Sequence, residues 1–186
     1  MTELRIGDQL ARYDRCATLA AYAQLQQGWA ERCNCAGCRN FIAARAQAFP
    51  DAFHAFLAEL GIDVNKEGEA IHYGPVEGDV HFYGGWFYFV GELIEAGEGL
   101  TTIPLPGSQS SVPRLPGPGE GFQYWFSTSF ARPPALFGKT VAAVEFSTLI
   151  SWMLDEPDPL SEKAMKKVEE TRSRYPNALR KLANSE

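Results

Sequence analysis

No stretch of the 186-residue chain approaches the ~18 consecutive apolar residues that a membrane-spanning helix needs. The opening residues, Met1-Thr2-Glu3-Leu4-Arg5, carry an acid and lack the basic-then-apolar profile of an export signal. Both absences lead to the expectation of a soluble, cytoplasmic protein with no membrane partner. A phosphate-binding glycine loop, a dinucleotide-binding fingerprint and a nucleophile elbow are also missing, so three large enzyme classes lose their usual mark. Histidine is scarce, with three copies at 54, 72 and 81, and neither H-x-H nor H-x3-H spacing occurs. No internal repeat is present.

What is there describes a folded domain. Apolar residues make up 45% and charged residues 22%, values that exclude a disordered chain and supply one well-buried core. Aromatic residues reach 12%, so much of the buried area is expected from Phe, Trp and Tyr. The net charge of −6 is uneven, because residues 160–183 hold seven basic side chains against three acids. An acidic body repels nucleic acid, and the basic tail lacks interleaved aromatics, so no nucleic-acid partner is expected. The tail reads as a solvated helix face, or as a surface that steers an acidic protein partner.

The pattern along the chain changes once. Helical spacing over residues 14–28 has Asp14 as its cap and Gly28 at its end, and Asn40 is placed to cap a second helix carrying Phe41, Ala44, Ala48 and Phe49. Pro50 breaks it, and a third helix with Phe53, Phe56, Leu57 and Leu60 ends at Gly61. From residue 69 alternation replaces the helical period. Strands are expected over 69–73, 79–83, 86–94, 122–130 and 140–152, with a hairpin turn at Gly84-Gly85. In the last strand Val144, Phe146, Ile150 and Trp152 share one face, and Glu145, Ser147 and Ser151 the other. The Pro/Gly/Ser-rich stretch 104–121 is a long connection that reads as an excursion between strands, with a substrate-covering lid as the alternative. Ser161 and Glu162 begin a C-terminal helix. The fold class expected is α+β: a helical layer (14–61) on an antiparallel sheet (69–152) within one domain (1–159), followed by a helical extension (160–186).

Chemistry concentrates in Cys33-x-Cys35-x2-Cys38. Three thiols within six residues are too close for a disulfide framework, and a reducing compartment favours free thiols or metal ligation. Zinc takes four soft or borderline ligands in a tetrahedron, and one turn can supply three. Cys16 is the natural fourth, although twelve helical residues separate it from Gly28, about 18 Å at 1.5 Å per residue. The alternatives for that position are His54, His72, His81 or water. Cys35-Ala36-Gly37-Cys38 also forms a C-x-x-C before a helix, where the helix dipole favours a reactive thiolate. It lacks the preceding buried strand and the adjacent tryptophan of a thioredoxin site. The plainest reading is that the cysteines fill space beneath the helices.

Cys33-Asn34-Cys35-Ala36-Gly37-Cys38-Arg39-Asn40-Phe41, followed by Phe49-Pro50 and Tyr83-Gly84-Gly85-Trp86-Phe87, resembles a group of uncharacterised bacterial proteins with a C-x-C-x2-C-R-N-F segment and a G-W-F strand. The resemblance covers roughly residues 29–94. It implies no activity, and it implies a bacterial, cytoplasmic origin.

Three further groups carry less. Asp63-x-Asn65-x-Glu67-Gly68 imitates the start of a calcium loop, but Gly74 stands where a bidentate Glu is required, so it reads as a cap and turn. His72 and His81 fall on neighbouring strand candidates and on one face would suit a metal or acid–base chemistry; lacking a motif spacing, they read as isolated structural or exposed residues. His54 reads as exposed. The aromatic run from Phe82 to Phe89 reads as core in preference to a ligand pocket. Three functions follow: a non-enzymatic binding or interaction protein, of immunity or accessory type, with one structural zinc; a thiol-redox or metal-dependent enzyme using Cys35 and Cys38; or a small-ligand binder enclosed by the sheet and the proline-rich loop.

Overall fold

The computed structural model describes residues 1–97, 103–104, 111–112, 122–130, 133–161, 163 and 166. It begins with a hairpin that the expected layout lacks: β1 (Thr2–Ile6) pairs antiparallel with β2 (Gln9–Tyr13) around Gly7-Asp8, with Gly7 at φ +55°. Two five-residue strands are too short for alternation to stand out, and β2 buries Gln9, Ala11 and Tyr13 where a longer apolar stripe would be expected.

Four helices follow, α1 (Arg15–Gln24), α2 (Trp29–Cys33), α3 (Ala36–Ala48) and α4 (Asp51–Leu60). Asp14 caps α1 as expected, accepting from the Ala17 amide at 2.9 Å. The helix ends at Gln24, short of Gly28, because Leu25 is already extended. The second expected helix starts four residues earlier than Asn40. Cys35 is the residue before it, and Asn40 lies buried inside α3, where its amide group bonds across to the sheet and caps nothing. Pro50 separates α3 from α4, and Gly61 closes α4 at φ +80°.

The remaining strands are β3 (Glu69–Glu77), β4 (Val80–Glu95), the short pair β5 (Ile103–Pro104) and β6 (Ser111–Val112), β7 (Phe122–Ser127) and β8 (Val141–Ser151). The main sheet is antiparallel in the order β1-β2-β4-β8-β7, with β3 pairing to β4 beside β2. The fold is α+β. The hairpin turn lies at Gly78-Asp79, not at Gly84-Gly85, and β4 runs unbroken through those two glycines. Their role is close approach: a Cβ at Gly85 would meet the Glu69 carbonyl oxygen at 2.2 Å. Residues 105–110 and 113–121 of the proline-rich stretch lie outside the described residues, as does the chain beyond residue 166.

The sheet face carrying His81, Tyr83, Phe87 and Phe89 looks at the helices. Phe41, Phe49 and Phe53 pack their rings on Tyr83, Phe87 and Phe146 at centroid distances of 5.0–6.4 Å. Phe82, Tyr83, Phe87, Tyr88 and Phe89 are all buried, so the aromatic run is core. Val144, Phe146 and Ile150 are buried on one face of β8, as the alternation implies. Among the described residues no helix is long and apolar enough to cross a membrane.

Candidate functional site

Cys33 is the last residue of α2, Cys35 immediately precedes α3, and Cys38 lies in its first turn. Between them Asn34 takes the left-handed conformation (φ 53°), which turns the chain sharply enough to fold the end of one helix onto the start of the next. Arg39 Nη1 donates to the Asn34 carbonyl at 2.8 Å and fastens the turn. The three Sγ atoms consequently lie within 4.8 Å of one another, with Cys33 and Cys35 exposed and Cys38 buried. A tetrahedral zinc with Zn–S bonds near 2.3 Å needs sulfurs about 3.8 Å apart, a spacing within that span. Cys16 is not among them. It sits exposed in the first turn of α1.

The thiols are unlike one another. Cys33 accepts the Cys35 backbone N–H, and with the neighbouring thiols also donating to it, its pKa falls below the ordinary thiol value. Cys38 is pushed far up, first by burial and then by hydrogen bonding to Cys33 and Cys35.

A buried ionic network holds α2 in place. Glu67 Oε1 accepts the Ala30 amide at 2.7 Å, and its backbone carbonyl accepts the Trp29 amide at 3.0 Å. Arg45, on α3, bridges Glu67 at 2.9 Å and Glu31 at 2.8 Å, and its guanidinium lies over Phe41. Both helices that carry the clustered cysteines, α2 and α3, are thus tied to one carboxylate. The same bonds explain the calcium-like segment, for Asp63 Oδ1 accepts the Asn65 amide at 3.0 Å while Glu67 points inward to Arg45.

A second cluster adjoins the first. Across the β3–β4 hairpin, His72 Nε2 and His81 Nδ1 stand 2.9 Å apart, and both side chains are at least nine-tenths buried. They are therefore a pair, not isolated strand residues. Asp158 faces them, with carboxylate oxygens 3.8 Å from His72 Nδ1 and 3.7 Å from His81 Nδ1. Tyr83 stacks on His72 at 4.7 Å, and Trp152 lies at 4.8 Å from the His81 ring and 5.5 Å from that of His72. Burial lowers both histidine pKa values despite the nearby carboxylate, which acts to raise them. Asp158 is held below the usual carboxylate range. Burial alone would raise it, but the Leu160 and Ser161 amides and the Ser161 hydroxyl donate to it at 2.9–3.0 Å and outweigh that effect.

Tyr83 links the two clusters, donating its hydroxyl to the Gly37 carbonyl at 3.1 Å and accepting from Asn40 Nδ2 at 3.2 Å. Asn40 Oδ1 in turn accepts the Met153 amide at 2.6 Å, which anchors the segment leading to Asp158. Asp158 is not marked by any motif in the sequence. Its one local signal is Asp-Pro ahead of a helical pattern: the helix there starts at Pro159, two residues before Ser161, with Asp158 as its cap. His54 is half-buried, edge-on to Phe49, and belongs to neither cluster.

A cleft of about 250 Å³ beside α2 is lined in part by Trp29, Arg32, Lys66, Glu69 and Tyr88. A ligand site formed by the proline-rich loop falls outside the described residues. Compared with protein-family models, with curated proteins and with solved structures, the chain matches none.

Proposed function

We propose that the protein is a non-enzymatic binding or interaction protein, bacterial and cytoplasmic, in which Cys33, Cys35 and Cys38 hold one structural zinc ion at the junction of α2 and α3. The observation that carries this reading is the convergence of three thiols within 4.8 Å at a turn between two helices. Such a centre closes the α2–α3 junction, where α2 has only five residues and could not persist alone. Water completes the tetrahedron, since Cys16 is not among the clustered thiols. A protein partner, of immunity or accessory type, suits an acidic body with a basic tail.

Elemental analysis of the purified full chain tests it. About one zinc per chain is expected at the cysteines, so Cys33→Ser/Cys38→Ser is expected to hold one ion fewer than the wild type. A wild-type chain whose cysteines alkylate freely in the presence of equimolar zinc would sink the proposal.

A second reading, thiol chemistry, draws support from Cys33: it is exposed and its pKa is lowered. On that reading the reactive thiol is Cys33, and the buried Cys38 is the resolving partner. Thiols that titrate near neutrality in zinc-free protein and cycle with a disulfide would favour it over the structural centre.

A further inference from the structure

We propose that His72, His81 and Asp158 form a second metal site, separate from the cysteines, for one divalent first-row transition ion such as zinc or iron(II). The argument starts from distances. The carboxylate oxygens of Asp158 stand 3.7 and 3.8 Å from the imidazole nitrogens, too far for hydrogen bonds. The carboxylate is held in place by its Leu160 and Ser161 donors while it faces both imidazoles. An ion between the three groups would be bonded by all of them. Bonds of about 2.1 Å in a tetrahedron place ligand atoms about 3.4 Å apart; one ligand atom from each of His72, His81 and Asp158 lies within 4.8 Å of the other two, a span that includes that value.

The donor chemistry agrees. One ring nitrogen from each histidine and one carboxylate oxygen make a two-histidine, one-carboxylate set, the donors used by catalytic zinc and by non-haem iron(II).

The surroundings hold the ligands in position. Tyr83 and Trp152 pack against the imidazole rings, and all three donors on Asp158 come from the helix start that it caps. Asn40 ties the Asp158 segment to α3 through the Met153 amide. Outer contacts of this kind orient first ligands in known metal centres.

The experiment loads chelator-stripped full-length protein with cobalt(II) and counts bound ions after desalting, for the wild type, for Cys33→Ser/Cys35→Ser/Cys38→Ser and for His81→Gln. The triple serine variant is expected to keep one ion, with weak visible ligand-field bands and no sulfur-to-cobalt charge transfer. His81→Gln is expected to lose one ion relative to wild type and to keep any charge-transfer band. A triple variant that binds nothing, or a His81→Gln chain that binds as many ions as wild type, overturns the proposal. Failure of the cysteine reading looks different: wild type and the triple variant then hold the same single ion. Should a variant fail to fold, nitrogen NMR of the wild-type histidines decides. Zinc is expected to shift one ring nitrogen of each of His72 and His81, and unmoved signals at saturating zinc refute the site.

Discussion

Gly37 presses its backbone against the His72 imidazole: a Cβ there would stand 2.8 Å from His72 Cβ and 3.0 Å from its Nδ1. Gly37 is also the residue before Cys38, so this one contact joins the two clusters.

Gly37→Ala sets two effects against each other. Alanine gains up to about 1 kcal/mol of helix propensity over glycine. Crowding of a packed site costs roughly 1–3 kcal/mol. His72 is confined by Tyr83 and Trp152 and cannot retreat, so crowding wins. A net loss of stability is expected in urea melts, together with weaker metal binding by the histidines. A variant as stable as wild type would show that His72 has room to move.

Zinc should stabilise the folded chain by mass action. Free zinc at a hundredfold its dissociation constant contributes about 2.7 kcal/mol per site. Thermal melts with and without chelator should therefore differ in the wild type, and the difference should shrink in Cys38→Ser. Equal shifts in both proteins would place the ion elsewhere.

Glu67 gives a pH dependence of defined sign. Burial raises its pKa above the ordinary 4.5, and Arg45 and the Ala30 amide only partly oppose that. A raised folded-state pKa contributes stability that is full below pH 4.5 and is lost as pH rises through the folded value. Glu67→Gln lacks this titration. The stability of wild type minus that of the variant should thus be largest in acid and fall toward pH 7, as measured by denaturant melts across the range. A difference that grows with pH would mean that the Arg45 pair outweighs burial.

Asn40→Leu should cost roughly 1–3 kcal/mol, because it takes the Asn40 partner from the Met153 amide and one of two hydrogen bonds from the buried Tyr83 hydroxyl. The specific sign is faster amide exchange at Met153, ahead of any change in the β4–β8 ladder. Uniform acceleration across the chain would indicate a merely global loss.

The helix and strand classes were legible because long elements carry a clear period. Phe53, Leu57 and Leu60 mark α4 in the sequence and are buried in the structure. Short elements were not: β1, β2 and α2 have five residues each and owe their conformation to what they pack against. Gly84-Gly85 misled because glycine marks close approach as well as turns, and only the neighbouring strand tells which. The cysteine cluster was legible because its residues are adjacent in the chain. The histidine site was half legible, since hairpin register pairs His72 with the strand of His81. Asp158 was out of reach, because the fold alone brings it there from beyond β8.

Trp152 leaves the protein with an optical gauge of its own. Its indole lies within 4.8 and 5.5 Å of the two imidazoles, close enough for its excited state to be quenched by a protonated ring or by a paramagnetic ion between them. Emission from this one residue, isolated by comparison with Trp152→Phe, would report the contents of the pocket without any added label.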